Sequence, residues 1–370
     1  MDVSTSAASS VGGITVVVPT YRRPGPLGWA LASILRQRFP GNPPAHRRLV
    51  ILNNDSSTDP VIKVVERVVD RIGENGWEVK LHHRNPPIHA VNNMYNGIAE
   101  FADEGDVVFL NGDDDLMLPD SLALRAEMFR CEPNMDILLA RGMSALLFTA
   151  GNSEQNTRAF FMEKGTEPAV RQGVRLMRME DLCRIGYILI SCHAYRNGAR
   201  FRGISAETRA LLLRLPCGGD DRLSMMPQFL PILGVRQGGV FATETRACLR
   251  GQFAHDVLNH RSGSGYWGIS ALYLLTQTEL QQEPDLDLMR EEYLAISLRC
   301  VCFSLGQPDF RQLARLTQLA RAAFSLTGAK AVLWSLFQWL RRQAKLNALR
   351  VRWRLRFDLG KGWDEVFANY

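Results

Sequence analysis

The stretch DVVFLNGDDD, residues 106–115, joins a short apolar run to an Asn-Gly turn and three consecutive aspartates. An apolar run of this length that stops at Asn-Gly is typical of a buried strand in a parallel sheet. Three adjacent carboxylates repel one another unless a cation or hydrogen-bond donors compensate their charge. A solvated acidic turn is the ordinary interpretation of such a triplet, but the position directly after an apolar strand favours a ligand site.

The same strand pattern occurs three times before this stretch. ITVVV (14–18) stops at Pro19, RLVIL (48–52) is a second apolar run, and WEVKLHH (77–83) is a third. The sequence between the runs predicts helices over about 26–38, 59–72 and 89–101. From about 120 to 250 the pattern is less regular, and it predicts a helix over 119–131, short strands near 136–140 and 145–149, and a loop-rich stretch through 218–221. Strands that alternate with helices indicate an α/β fold, with a mostly parallel sheet and helices on both faces. Ligands of such sheets bind beyond the carboxyl ends of the strands.

Two further polar clusters follow predicted strands. NDSSTD (54–59) follows the second strand, where a carboxylate can accept a hydrogen bond from a nucleotide base. Thr58 or Asp59 is equally suited to cap the next helix, which leaves Asn54 and Asp55 unexplained. PTYRRP (19–24) follows the first strand, and its tyrosine beside a fixed proline turn offers a stacking surface for a planar base. Both clusters are predicted to share a sheet edge with the aspartates.

In order and spacing, these segments resemble the family 2 glycosyltransferases of the GT-A fold over about residues 14–225. VVVPTYRRP (16–24) looks like the family's opening strand and loop, and NDSSTD is similar to its DDGSTD segment. FLNGDDDLMLPDSL (109–122) resembles its metal-binding segment, and GGDDR (218–222) resembles its late base motif. Two departures matter: Asn54 stands where the family usually has an acid, and the base motif is Asp-Asp instead of Glu-Asp.

The resemblance implies transfer of a sugar from a nucleotide diphosphate, usually a UDP-sugar, to a hydroxyl acceptor with inversion, assisted by Mn²⁺ or Mg²⁺. The residues it implies for nucleotide-sugar binding are Pro19, Tyr21, Arg23, Asp55, Asn93, Asp113 and Asp114. It implies Asp115 and Asp113 as metal ligands, with His255 or His260 as a further candidate. The catalytic base is Asp221 or, if the motif pairs on Gly-Asp, Asp220.

The sequence predicts four regions: a disordered tail (1–13), the GT-A domain (14–250), a helical extension (251–330) and a basic amphipathic tail (331–370). The first region has no apolar segment of the kind found in signal peptides. No run of about 18 apolar residues occurs, which excludes a conventional spanning helix and the usual layout of processive polysaccharide synthases. The seven cysteines include no CxxC pair and are predicted to be reduced core thiols of a cytoplasmic protein.

The net charge of +6 is concentrated near the end of the chain, where residues 341–356 carry seven Arg or Lys and no acid. Within it, RVRWRLRF (350–357) alternates apolar and cationic side chains. One hypothesis is that 331–357 contacts an anionic membrane from the cytoplasmic side, which would suit a lipid-linked acceptor. The other is that this segment packs on the catalytic domain with its arginines in water.

Three other functions compete with glycosyl transfer. A sugar-phosphate nucleotidyltransferase needs a glycine-rich phosphate loop after the first strand, and PTYRRP is not one. A nucleic-acid-binding protein would use the arginine-rich tail, but the acidic strand ends would repel such a partner. A non-catalytic nucleotide-sugar binder would carry the same motifs, so the sequence does not separate it from an enzyme.

Overall fold

The computed structural model describes residues 12–41, 44–55, 59–148, 159–161, 172–185, 190–214 and 219–253. All structural statements below concern these ranges. The predicted basic tail, nearly all of the predicted helical extension and most of the predicted N-terminal tail lie outside them.

The described chain forms ten strands and seven α-helices. The strands are β1 (Ile14–Thr20), β2 (Arg47–Asn53), β3 (Glu78–His83), β4 (Val107–Leu110), β5 (Leu116–Met117), β6 (Ile137–Phe148), β7 (Ala159–Phe161), β8 (Val174–Leu176), β9 (His193–Arg196) and β10 (Val240–Phe253). The helices are α1 (Pro24–Leu35), α2 (Asp59–Ile72), α3 (Ala90–Phe101), α4 (Ser121–Cys131), α5 (Met179–Ile185), α6 (Ala199–Leu213) and α7 (Gly219–Arg236). A short 3-10 helix covers Ile190–Cys192.

All ten strands belong to one sheet with the order β3-β2-β1-β4-β9-β6-β10-β5, to which β7 adds beside β6 and β8 beside β10. The first four strands are mutually parallel. β9 runs antiparallel to both β4 and β6, and β10 is parallel to β6. The long strands β1 to β4, β6 and β10 therefore point the same way. The predicted α/β GT-A fold, with its mostly parallel sheet, is confirmed.

The helices divide between the two faces because the strand order reverses at β1. From β1 the chain adds β2 and then β3 on one side of β1, with α1 and α2 as the connections. α3 then connects β3 to β4, which lies on the other side of β1. Right-handed crossovers place α1 and α2 on one face and α3 on the other. The packing agrees, since α1 contacts α2 whereas α3 contacts α6 and α7. The carboxyl ends of β1 and β4 thus flank a topological switch point, where α/β sheets bind ligands.

The core is continuous through the parallel strands, and every residue of β4 is fully buried. α3 lies close to β2 because Gly97 has no side chain at their contact. A Cβ at Gly97 would lie 2.2 Å from Cδ1 of Leu52. This close packing fixes the position of α3 relative to β2.

The prediction was wrong for much of the region between residues 120 and 250. The two short strands expected near 136–140 and 145–149 are one strand, β6, and the stretch expected to be rich in loops contains α6, α7 and β10. α7 continues through Pro227 and Pro231. Proline lacks a backbone donor and usually ends a helix, so the sequence pattern hid this element.

Two smaller predictions concern the thiols and the membrane. Cys192 and Cys248 are buried, as predicted for core thiols, but Cys131 at the end of α4 is exposed. In the described ranges, no helix combines the length and apolar character needed to cross a bilayer.

Candidate active site

The candidate active site lies where the loops after β1, β2 and β4 meet at the carboxyl edge of the sheet. The loop after β1 holds the other two together. The backbone amide of Asn54, after β2, donates to the carbonyl of Thr20 at 3.0 Å. The hydroxyl of Thr20 donates to Oδ2 of Asp113, after β4, at 2.9 Å. The sequence prediction that the three segments share one edge is confirmed by these contacts.

Asp113 is a buried carboxylate held between a hydroxyl and an arginine. Its side chain is about one-tenth exposed, and Nη1 of Arg23 lies 3.7 Å from its Oδ1 and 3.4 Å from Oδ2 of Asp114. Burial and the negative charges of Asp114 and Asp115 raise the pKa of Asp113 from 3.8 to about 7, although Arg23 and Thr20 oppose the shift. Burial is therefore the main obstacle to ionisation of Asp113, and the charges of its two acidic neighbours add to it.

Asp115 points inward and is held by two donors from distant parts of the chain. The Ser191 hydroxyl donates to its Oδ2 at 2.5 Å, and the backbone amide of Gly251 in β10 donates to its Oδ1 at 3.0 Å. Its residue exposure is 5%. These two bonds fix the orientation of both carboxylate oxygens of Asp115.

The turn between Asp115 and β4 is fixed by Asn111. The buried amide of Asn111 donates to the carbonyls of Gly112 and Asp115 at 2.8 and 2.9 Å. A Cβ at Gly112 would lie 3.1 Å from carboxylate oxygens of both Asp114 and Asp115, so a side chain there would require the two carboxylates to shift. The Asn-Gly pair that predicts the end of the strand thus also folds the aspartates into one compact turn.

The loop after β1 also reaches Asp55. Nε of Arg22 donates to Oδ2 of Asp55 at 3.1 Å, and the guanidinium lies 5.0 Å from the ring centre of Tyr21. Tyr21 is 46% exposed, whereas Asp55 is buried. Pro19, the penultimate residue of β1, is half-buried beneath this loop. An exposed ring beside a buried carboxylate is an arrangement able to stack on a base and accept its N–H.

Asn54, the departure from the family pattern, has a structural explanation. Its amide nitrogen donates to the carbonyl of Ile88 at 2.7 Å, and its amide oxygen accepts from the backbone amide of Ile88 at 2.9 Å. An ionised aspartate has no donor and would lose the first of these bonds. Asn54 therefore joins the loop after β2 to the segment that leads into α3.

Asn93 is buried in α3, where its side chain has protein partners on both sides. Its oxygen accepts from Nε of Arg84 at 3.0 Å, and its nitrogen donates weakly to the carbonyl of Leu52 at 3.4 Å. These bonds join α3 to β2 and to the end of β3. The implied role of Asn93 in lining the donor site stays a prediction.

The base candidates Asp220 and Asp221 lie in the first turn of α7, so the expected loop is a helix start. Their side chains, like all of His255 and His260, lie outside what the structure describes. The backbone still restricts their position. α7 ends near the amino ends of the parallel strands, where the carbonyl of Gly239 accepts from the backbone amides of Asp136 and Ile137. Its 18 residues span about 27 Å. α7 also contacts the 3-10 helix that carries Ser191, so it extends towards the edge that carries the aspartates.

A sequence model of the family described as Glycosyl transferase family 2 matches residues 15–180. This range includes every described loop that builds the carboxyl edge around Asp55 and Asp113. Residues 15–180 form a family 2 glycosyltransferase domain. The resemblance stated from the sequence motifs is confirmed over this range, whereas the GGDDR segment (218–222) lies beyond it and its role stays a prediction.

Solved structures of low sequence identity also align with the chain. The crystal structure of S. aureus TarS is 13% identical, with a TM-score of 0.45, and the alignment covers 81% of this chain and 44% of TarS. Mannosyl-3-phosphoglycerate synthase from Rubrobacter xylanophilus is 12% identical, with a TM-score of 0.40 and coverage of 73% and 76% of the two chains. A search of curated proteins finds no match.

The residues of the family 2 domain fit a divalent cation. Mg²⁺ and Mn²⁺ prefer carboxylate oxygens, and Asp113 to Asp115 offer three carboxylates in one turn. Burial, with the charges of Asp114 and Asp115, raises the pKa of Asp113, and a cation bound in this turn would favour its ionised form. Asp113 and Asp115, with Asp114 beside them, are therefore the residues that would hold the ion.

Another group with metal-ligand chemistry lies at the opposite edge of the sheet. The side chains of His46, Asp103 and Asp106 place possible ligand atoms within 4.8 Å of one another. Asp106 is fully buried, and its Oδ2 accepts from the Thr15 hydroxyl at 2.7 Å, while Nε2 of His46 lies 3.0 Å from its Oδ1. Asp106 precedes β4 and Asp113 follows it, so this group is separate from the candidate active site.

Sequence reasoning missed several residues that organise the family 2 site: Thr20, Arg22, Asn111, Ser191 and Gly251. The first three lie inside the recognised motifs but had no assigned role. Ser191 and Gly251 are 76 and 136 positions from Asp115. Neither belongs to a motif with a recognisable spacing, so only the folded chain shows that they bind the aspartate turn.

Proposed function

We propose that this protein is an inverting, metal-dependent glycosyltransferase that moves a sugar from a nucleoside diphosphate donor, a UDP-sugar, to a hydroxyl acceptor. The observation that carries the proposal is the contact network at the switch point between β1 and β4. Within it, Arg22 bonds Asp55 and Arg23 lies between Asp113 and Asp114. Groups suited to a base, a cation and a diphosphate thus meet at the position where this fold binds nucleotides.

The proposed donor position follows from the exposure of the loop side chains. Tyr21 supplies a stacking surface for the base, and Asp55 accepts a hydrogen bond from it. Asp113 accepts from a ribose hydroxyl, with Asp114 beside it. Arg22 and Arg23 are exposed cations in the described part of this edge, at 63% and 41% of their side-chain surface, and the proposal places the diphosphate beside them. Arginine suits this position because its planar fork matches phosphate oxygens.

A bound Mn²⁺ or Mg²⁺ would act as a Lewis acid and neutralise charge that develops on the leaving diphosphate. Asp115 and Asp113 would hold the ion, and Ser191 and Gly251 hold Asp115 in place. Burial of this turn strengthens every electrostatic interaction made there.

The base is Asp221, with Asp220 as the alternative. In a single in-line displacement it accepts the proton of the acceptor hydroxyl while the bond between the anomeric carbon and the diphosphate oxygen breaks. The path of α7 towards the carboxyl edge supports this role, because the first turn of α7 is the part that approaches that edge. Inversion follows from a single displacement on the face opposite the leaving group.

The acceptor is a glycan of the cell surface or one linked to a lipid, in keeping with a cytoplasmic enzyme that contacts the inner face of the membrane. Support comes from the composition of the 331–357 segment, which ends in RVRWRLRF (350–357), where cationic and apolar residues alternate. Each basic residue near an anionic leaflet contributes about 1 kcal/mol of attraction.

Hydrolysis of a panel of nucleotide sugars, with and without Mn²⁺, tests the function before any acceptor is known. The proposal expects slow Mn²⁺-dependent release of a nucleoside diphosphate, with UDP-sugars the best donors. Release of pyrophosphate from a sugar phosphate and a nucleoside triphosphate would instead identify a nucleotidyltransferase. Binding of nucleotide sugar without turnover, even with an acceptor extract supplied, would indicate a non-catalytic binder.

A further inference from the structure

Ser191 lies outside the matched family segment, yet it bonds both ends of the aspartate turn. The backbone amide of Gly112 donates to the Ser191 hydroxyl at 2.9 Å, and that hydroxyl donates to Oδ2 of Asp115 at 2.5 Å. Ser191 is fully buried in the 3-10 helix that precedes β9. One hydroxyl group therefore links the first residue after Asn111 to the last aspartate.

The direction of both bonds follows from the chemistry of the partners. A backbone amide only donates, so the Gly112 N–H must point at the serine oxygen. The single hydroxyl hydrogen is then free to point at the Asp115 carboxylate, which accepts. A hydrogen bond to an ionised acceptor is shorter and stronger than one between neutral groups, in keeping with the 2.5 Å distance.

Ser191 is itself held by a buried arginine from the opposite side. Nη1 of Arg125 in α4 donates to the Ser191 carbonyl at 3.3 Å, and Nε donates to the Ser121 carbonyl at 3.2 Å. The guanidinium lies 4.6 Å from the ring centre of Phe109 in β4. Burial lowers the pKa of Arg125 only to about 10, so it stays charged at neutral pH. The serine is thus anchored to α4 and β4, and not only to the turn.

We propose that Ser191 is the positioning residue of the metal site, whose hydroxyl orients the Asp115 carboxylate for a divalent cation. This inference rests on the metal-dependent function proposed above. Residues that hydrogen-bond a ligating group fix its orientation, and their loss typically weakens metal affinity by about 10- to 100-fold. Gly251 holds the other oxygen of Asp115 through its backbone, whereas Ser191 bonds through its side chain, which mutation can remove.

Mn²⁺ titration followed by electron paramagnetic resonance, with and without UDP, tests the proposal on the full chain. Ser191→Ala removes both bonds, and Ser191→Cys keeps a side chain of similar shape that donates only weakly. The matched control is Ser121→Ala, since Ser121 is equally buried but its hydroxyl oxygen has no hydrogen-bond partner among the described residues. Circular dichroism at the titration temperature confirms that each variant is folded.

We expect the Mn²⁺ Kd to rise about 10- to 100-fold in Ser191→Ala, and to a smaller extent in Ser191→Cys, with Ser121→Ala unchanged. A lower melting temperature with an unchanged Kd would mean a purely structural serine and would overturn the proposal. An equal loss of affinity in Ser121→Ala would overturn it as well. If the wild-type protein binds no Mn²⁺ with or without UDP, the proposed metal-dependent function is wrong as well. An unchanged Kd in Ser191→Ala beside normal binding by the wild type would instead refute only the role of Ser191.

Discussion

Asp113→Asn is expected to stabilise the metal-free protein while removing its response to Mn²⁺. Asp113 is a buried carboxylate whose pKa rises from 3.8 to about 7 because of burial and its negative neighbours. At about 1.4 kcal/mol per pKa unit, this shift corresponds to about 4 kcal/mol of destabilisation by the ionised form. Asparagine has the same shape and still accepts from Thr20, but its buried amide also loses hydration. We therefore expect a net gain of about 2–4 kcal/mol near pH 8.

The raised pKa of Asp113 determines how the stabilising effect of Asp113→Asn changes with pH. In the unfolded chain Asp113 loses its proton near its ordinary pKa of 3.8, whereas the folded protein keeps that proton until about pH 7. Folding therefore takes up a proton between these values, and the stability associated with Asp113 is lost as the pH rises through about 7. The advantage of Asp113→Asn should be near zero at about pH 4 and reach its full size above about pH 7.

Thermal and urea unfolding of both proteins at about pH 4, 6 and 8, in EDTA and in Mn²⁺, measure this effect. Asp70→Asn is the matched control, because it removes the same charge from an exposed position on α2. The reasoning is refuted if Asp113→Asn is less stable than the wild type at about pH 8 in EDTA. It is also refuted if the variant gains as much stability from Mn²⁺ as the wild type does.

The remaining predictions concern the base, the packing of α3 and the C-terminal tail. Asp221→Asn should abolish transfer while the Kd for UDP with Mn²⁺ stays unchanged, as kcat and calorimetry would show; full turnover by this variant would assign the base to Asp220. Gly97→Ala should lower the free energy of unfolding by about 1–3 kcal/mol in urea, because its Cβ would lie 2.2 Å from a leucine methyl of β2. Gly203→Ala in α6 is its control and should stabilise by up to about 1 kcal/mol, since no atom lies within 4 Å of its Cβ. The full chain should float with liposomes rich in anionic lipid, whereas a chain ending at Gly328 should not; equal flotation would remove the membrane hypothesis.

The sequence predicts the first half of the fold well because the signals there are local. Apolar β-branched runs such as 14–18 end at proline or Asn-Gly, and each helix between them has a clear start. Parallel strands place their carboxyl ends on one edge, so the placement of Asp55 and Asp113 at the same edge follows from strand direction alone.

The later half depends on contacts that no local pattern encodes. α7 continues through two prolines because its packing against α3 and α6 outweighs the local preference. Ser191 reaches Asp115 only after β9 inserts antiparallel beside β4. The sequence thus identifies which side chains carry the chemistry of the site, whereas the fold identifies those that hold them in position.

The most direct test of the central claim is a thermal-shift panel of UDP, GDP, ADP and CDP, with Mn²⁺ and with EDTA. If Asp55 and the aspartate turn bind one nucleotide together with a cation, UDP should raise the melting temperature in Mn²⁺ and much less in EDTA. A ligand at about 100 times its Kd adds about 2.7 kcal/mol to the stability of the folded state. Asp55→Asn and Asp113→Asn should each abolish that shift. A nucleotide-dependent shift of full size in both variants, or no shift with any of the four nucleotides, would contradict the account.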